Sequence, residues 1–373
     1  MSAVAACGDS APDAGSHSSR VLWRLPFAPN ELFSWGGVPA VRDGRAYWKT
    51  MNGLLALDMI SGERRWTTPL PIRSLQAPNV LWHDGLLAIA DWWGVTVADA
   101  ETGTVVWTAA DTTRRHDTFL DARDGTLFHF LTSDSNRPGP YLGVLKAVDL
   151  RTGTPRWEQV LLRHETFSVL PQGVVIEGDA VYAVGSRSLS ASGHLKTIFV
   201  SALRRIDGAL LWHAELPGEF HAASTNATIF GSLLLLGDGF GSGFLALDRT
   251  DGHEVWRLSG ESGFYGPTYA PLVRDGIGYG VSSDRHAYAF DAATGRQLWT
   301  TKLPASAHQL ALCGRFLLVE NQAVMLLDRT SGAIVDSLLT NPDGSEIPSS
   351  GFAVSDRIAA ISTDREIVGF SCE

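Results

Sequence analysis

The chain has 373 residues, 45% hydrophobic and 19% charged, with a formal net charge of −10. This is enough apolar material for a substantial core and too little polarity for general disorder, and the scattered acidic excess argues against nucleic acid as a partner. Its longest apolar runs, at 233–236 and 316–319, are strand-sized and far short of the roughly 20 residues of a membrane-spanning helix. The cysteines Cys7, Cys313 and Cys372 show no paired spacing, so unlinked thiols are expected rather than a disulfide framework or a zinc site.

Residues 1–20, rich in Ser, Ala, Gly and Asp, read as a flexible tail. Within it Val4-Ala5-Ala6-Cys7 has the small-residue pattern that precedes a lipidated cysteine. The short stretch before it has no basic or apolar leader, so Cys7 stands as a candidate lipid attachment only. The segment VLWRLPF at 21–27 then reads as an outer strand with no inner strands before it.

From there a repeat runs to the end of the chain. An apolar run ends in Asp, a small turn follows, and a tryptophan stands four residues after the turn glycine: ALDMISGERRW (56–66), VADAETGTVVW (97–107), AVDLRTGTPRW (147–157), ALDRTDGHEVW (246–256) and AFDAATGRQLW (289–299). Two degenerate copies keep the register, ALRRIDGALLW (202–212) with Arg204 for the aspartate and LLDRTSGAIVD (326–336) with Asp336 for the tryptophan. Each copy follows two apolar runs joined at a turn: Asp43-Gly44, Asp84-Gly85, Asp124-Gly125 and Asp275-Gly276, with Gly178-Asp179, Gly231-Ser232 and Cys313-Gly314 in the variants. Asp-Gly between apolar runs marks a hairpin, so each repeat predicts four strands, the first at about 38–42, 45–49, 54–58 and 64–68. In the turn, Asp and Thr oxygens accept amide hydrogens while Gly takes the left-handed backbone.

The tryptophans Trp23, Trp66, Trp107, Trp157, Trp212, Trp256 and Trp299 then lie on outermost strands and wedge against the next unit, with Asp336 at the eighth position. The tail-end segment GFAVSDRIAAISTDREIVGF (351–370) supplies three strands with no tryptophan strand after it, and 21–27 supplies the missing one. The expectation is an all-β, eight-bladed β-propeller of four-stranded antiparallel blades over 21–373, closed by the N-terminal strand joining the last blade.

The AxDxxTGxxxW pattern resembles the tryptophan-docking repeat of the pyrroloquinoline-quinone (PQQ) type of propeller, over essentially all of 21–373. The resemblance implies the fold but not the cofactor, for its members include quinoprotein dehydrogenases, BamB-like outer-membrane assembly lipoproteins and sensor domains of bacterial Ser/Thr kinases. Length and isolation of the ring are most similar to the BamB-like group. The quinoproteins are longer, hold calcium beside the quinone and often stack a vicinal disulfide on it. Here the cysteines are far apart in sequence and no compact cluster of acidic and amide residues stands out, so no cofactor is expected and PQQ with calcium is the minority alternative.

In a four-stranded blade the second-to-third and fourth-to-next-first connections share one face, and unusual residues collect there: Trp35, Trp92, Trp93, Arg115, His116, His221, Tyr265, Arg285 and His308. His116, His221 and His308 each follow a wedge tryptophan by nine residues, Tyr265 taking that place after Trp256, which could ring the channel mouth; ordinary loop histidines are the plainer reading. Extended connections at 133–140 and 186–194 break the symmetry, and GDGFGSG (237–243) lies between strands, unsuited to a nucleotide loop. No nucleophile elbow, Ser-His-Asp order or zinc signature appears in a supporting context. The resulting expectation is a monomeric, non-catalytic scaffold of the bacterial cell envelope that presents this face to a protein or peptide and meets the membrane only through a lipid anchor. A PQQ-dependent dehydrogenase, a ligand-sensing propeller and a cytoplasmic location are the alternatives.

Overall fold

The computed structural model describes residues 20–28, 37–50, 53–70, 79–91, 94–110, 114–133, 140–165, 169–188, 196–216, 226–237, 243–259, 270–282, 284–307, 309–321, 323–339 and 350–373. Eight four-stranded antiparallel sheets account for the described secondary structure, and no described helix is long and apolar enough to cross a membrane. Blade 1 takes Ala40–Arg42, Arg45–Thr50, Gly53–Asp58 and Arg64–Pro69 in that spatial order, within two residues of the expected strands. Blades 2 to 7 repeat the meander over residues 81–110, 114–164, 169–215, 228–258, 272–302 and 309–338. Blade 8 is composite. Its inner strands Ser350–Ser355, Ile358–Ser362 and Glu366–Ser371 are completed by Val21–Pro26, paired from Val21 opposite Phe370 to Pro26 opposite Glu366.

The first strand of every blade touches the first strands of both neighbours, which closes the inner circle. Middle strands such as Gly53–Asp58 are buried almost throughout, because both of their faces meet a neighbouring blade. Fourth strands alternate half-buried and exposed, with the wedge on the half-buried side. The core is accordingly eight apolar clusters, one at each junction between blades.

The four Asp-Gly hairpins have positive φ at both residues, for example 51° at Asp43 and 71° at Gly44, the backbone that a right-twisted two-residue turn requires. In blade 7 the turn is Gly314-Arg315 rather than Cys313-Gly314, since Cys313 pairs with Phe316 as the last residue of its strand. The Asp-x-x-Thr-Gly turns work as their chemistry demands. Asp99 Oδ1 accepts the amides of Glu101 and Thr102 at 3.0 and 2.8 Å and the Thr102 hydroxyl at 2.9 Å, and Asp58, Asp149, Asp291 and Asp328 do the same. Blade 4 inverts the device: the Arg204 guanidinium donates to Asp207, whose Oδ1 accepts the Ala209 amide.

Each wedge lands on the next blade's turn. Trp23, Trp66, Trp107, Trp157, Trp212, Trp256 and Trp299 lie over Gly62, Gly103, Gly153, Gly208, Gly252, Gly295 and Gly332, so closely that a Cβ on Gly252 would fall 2.6 Å from Trp212 Cζ3. Six of these indoles donate Nε1–H to a carbonyl of the same turn, at Met59, Ala100, Leu150, Arg205, Arg249 and Arg329, over 2.9 to 3.3 Å. Trp256 Nε1 is buried without such an acceptor among the described residues.

The junction of blades 7 and 8 overturns the expectation of unlinked thiols: Cys313 and Cys372 form a disulfide with their Cα atoms 5.8 Å apart. They are 59 residues apart in sequence and meet because the consecutive blades 7 and 8 pack side by side, so local spacing carried no trace of the pair. Beside it Arg20 Nε donates to Asp336 Oδ2 at 3.0 Å, the Arg20 carbonyl accepts the Ser371 amide, and the guanidinium lies over Phe316. Arg20, assigned to the tail from the sequence, is thus bound to the ring.

Candidate functional site: the loop-bearing face

The hairpins and wedge turns all lie at one end of the blades, so the second-to-third and fourth-to-first connections lie at the other. Blades 3 and 4 are taller there. Their second strands, Thr126–Ser133 and Ala180–Ser188, start directly after the hairpin like Arg45–Thr50 but run two and three residues further. Part of the connections expected at 133–140 and 186–194 is therefore strand. Ser133 Oγ accepts the Leu142 amide at 3.0 Å, and Arg187 grips Glu215 with two hydrogen bonds of 3.2 and 2.8 Å. Residues 134–139 and 189–194 lie outside the described residues.

Of the face residues chosen from sequence, Arg115 and His116 sit in the first strand of blade 3, Arg114–Arg123, opposite Thr132 and Leu131, and not in a loop as expected. That strand begins earlier than the 40–42 strand of blade 1 because the taller second strand offers it partners. Trp35, Trp92, Trp93, His221, Tyr265 and His308 lie outside the described residues, as does most of 237–243.

Arg285 is placed on the face. It is exposed, with φ at 65°, an uncommon backbone for a residue with a Cβ. Its amide donates to Ser282 O and its carbonyl accepts the Leu303 amide at 2.7 Å, which hold that conformation. Beneath it the buried Asp284 accepts the His286 amide at 3.0 Å and the Tyr288 hydroxyl, and burial raises its carboxyl above the usual range.

Several polar side chains that the sequence did not single out are buried at this end of the blades. Lys49 is pulled down to about 8 by burial, a shift that Asp91 opposes. Gln309, Glu320 and Asn321 are buried in blade 7, and Ser282 in blade 6. Ser282 Oγ and Gln309 Oε1 have no hydrogen-bond partner among the described residues. The signal available beforehand was only their place at the loop ends of second and first strands.

Two oxygen-bearing side chains at this end are committed to their own hairpins: Asn321 Oδ1 accepts the Ala323 amide, and Asp284 serves His286 and Tyr288. The disulfide lies with Gly314 at the turn end, away from the loop-bearing face. A described group with metal-ligand spacing, Asp248, Asp251 and His253, is also on the turn face, where Asp248 accepts the Thr250 amide and Asp251 binds His253. Among the described residues these groups do not assemble a quinone and calcium site.

The sequence matches the family described as outer membrane protein assembly factor BamB over residues 12–194 and again over 196–368. The chain belongs to the BamB family. A solved BamB from Moraxella catarrhalis superposes with a TM-score of 0.62 at 13% identity, covering 94% of this chain and 100% of that one. A europium-containing methanol dehydrogenase gives 0.73 at 12% identity, covering 94% and 93%. At these identities the likeness speaks for the fold alone, and BamB-family propellers share it with enzymes. Among curated sequences, the serine/threonine-protein kinase AfsK of Streptomyces griseus is 26% identical over 296 residues, 74% of this chain and 31% of the kinase. The chain thus spans about a third of that relative's length.

Proposed function

We propose that this BamB-family ring is a non-catalytic binding propeller that presents its loop-bearing face to a protein or peptide partner, with a BamB-like assembly role as one form. The observation that carries the reading is the division of labour between faces. Turn-face positions fasten blade to blade, by a wedge at seven junctions and by Arg20, Asp336 and the cystine at the eighth, while the departures in strand length and the strained, exposed Arg285 rise on the opposite face. Binding residues on loops held by a rigid scaffold follow this plan. The Cys313–Cys372 bond supports a cell-envelope location outside the cytoplasm, where disulfides persist. Cys7, outside the described residues, remains the candidate anchor.

The test is site-specific photo-crosslinking in the native host, with the photoreactive residue at Arg285 on one face or at the exposed Ile60 on the other. The reading expects a discrete protein adduct from position 285 and none from 60. Adducts of equal yield from both would refute it. A second reading, a ligand-sensing propeller, is favoured by the kinase match and predicts thermal stabilisation by a small ligand in a host-extract fraction depleted of macromolecules. Dye-linked alcohol or sugar oxidation after loading with PQQ and calcium would replace both readings with an enzyme.

A further inference from the structure

Every wedge needs the third-to-fourth-strand turn of the next blade beneath it, and blade 8 has no such turn. Its third strand ends at Ser371 and its fourth begins at Val21, so Arg20 enters and Cys372-Glu373 leave where the other blades have the glycine-bearing turn that seats a wedge. A tryptophan at the end of blade 7 would have neither glycine to sit on nor turn carbonyl to bond. That position is Asp336, bound to Arg20, and the disulfide crosses the same junction from the end of the first strand of blade 7 to the residue that follows the third strand of blade 8.

We propose that the Cys313–Cys372 bond is a redox-operated clasp that stands in for the missing wedge, so that its reduction makes the junction of blades 7 and 8 the place where the ring opens. The chemistry requires an external dithiol. One thiolate attacks a cystine sulfur to form a mixed disulfide, and the second thiol of the same reagent displaces it. The ring gains two electrons and two thiols, and the reagent leaves as a disulfide. Both cysteines are buried, at 0% and 3% exposure, so attack waits for the junction to breathe. After reduction the Arg20–Asp336 pair remains, but it is partly solvated, and pairs of that kind hold weakly. The other seven junctions have no cystine among the described residues and keep their indoles, so reduction leaves them unchanged.

Hydrogen–deuterium exchange of the full chain, carrying Cys7→Ser to prevent reshuffling, tests this with and without dithiothreitol. Reduction is expected to speed exchange in residues 309–338 and 350–371 on the order of tenfold or more, and elsewhere by less than about twofold. The variant Cys313→Ser/Cys372→Ser should show the reduced pattern permanently and ignore dithiothreitol, whereas Trp299→Ala should loosen the junction of blades 6 and 7 in either redox state. Uniform acceleration, or no local change once mass spectrometry shows the thiols free, overturns the proposal. So does failure of dithiothreitol to reduce the bond without denaturant. The reduction experiment uses folded protein, so it decides the matter even if the double variant does not fold.

Discussion

Trp212→Ala isolates what one wedge contributes. The indole packs on Gly252 of the next blade, lies 6.0 Å from the ring of Tyr182 in its own blade, and donates to Arg249 O at 2.9 Å. An aromatic side chain in such a place removes roughly 150 Å² from water, worth about 4 kcal/mol at 25 cal/mol per Å², and the hydrogen bond adds about 1 kcal/mol. Partial collapse around the void returns some of this, so the expected loss is about 3–5 kcal/mol, the range for large aromatic truncations. Gly252→Ala attacks the same contact from the other side. Its φ of 79° strains an alanine by about 1–2 kcal/mol, and the new Cβ also displaces the indole. Urea unfolding of the two single variants and the double variant then forms a cycle. With the indole gone, Gly252→Ala should cost only its backbone strain, leaving a coupling of about 1–3 kcal/mol between the sites. Equal cost of Gly252→Ala in both backgrounds would refute the seating of the wedge on the turn.

Three further outcomes follow. Asp336→Trp, which restores the repeat consensus, should lower the urea midpoint, because it removes the carboxylate that pairs with Arg20 and finds no turn in blade 8; a stabilised variant would contradict the account of ring closure. Gly280→Ala places a Cβ 2.0 Å from Phe244 Cζ across the junction of blades 5 and 6, and overpacking of this kind should destabilise by about 1–3 kcal/mol in thermal or urea melts, part of which Phe244→Leu recovers. Asp121, in the first strand of blade 3, accepts the amides of Ala122 and of Ile176 in blade 4, and burial pushes its carboxyl up to about 6. Since its unfolded value is about 3.9, the folded ring holds an extra proton between about pH 4 and 6 and stability falls as pH rises through that window. Asp121→Asn should flatten that slope in pH-dependent urea titrations, a change of about 2 kcal/mol across the window. The turn carboxylates Asp58 and Asp149, held at about 2 by hydrogen bonds from Arg65 and Arg156, stabilise above pH 4 and lose their effect only below it, so the two contributions separate.

Much of the ring was legible in the sequence because its parts are local. An Asp-Gly hairpin, an Asp-x-x-Thr-Gly turn and a tryptophan four residues on are each fixed by neighbours within a dozen residues, and repetition averages out single departures such as Arg204. What escaped notice depends on residues brought together by packing between blades and by closure. Cys313 and Cys372 carry no spacing signal, and Arg20 looks like tail until Asp336 and Ser371 meet it. The candidate site was legible in a third way. Which end of the blades bears the loops follows from strand count alone, but Arg115 and His116 were misplaced because the height of blade 3 is set by strand pairing that composition does not encode. Buried polar groups such as Lys49, Ser282 and Gln309 sit at the loop ends of their strands, and their burial is decided by neighbouring blades.

The same closure accounts for the division between the two faces. A wedge that must meet a glycine at positive φ and a carbonyl in the next blade leaves the turn end little freedom, since a change at either partner loosens a junction. Among the described residues the loop end carries no corresponding wedge, and strands there lengthen by two or three residues in blades 3 and 4 without disturbing register at the hairpins. Variation in strand length can therefore accumulate on one face while stability is maintained on the other. The exception is the junction of blades 7 and 8, where Asp336, Arg20 and the cystine replace the repeat. There the turn end is free of the wedge constraint, and the chemistry of two sulfur atoms, not the fit of an indole, sets how firmly the circle is held.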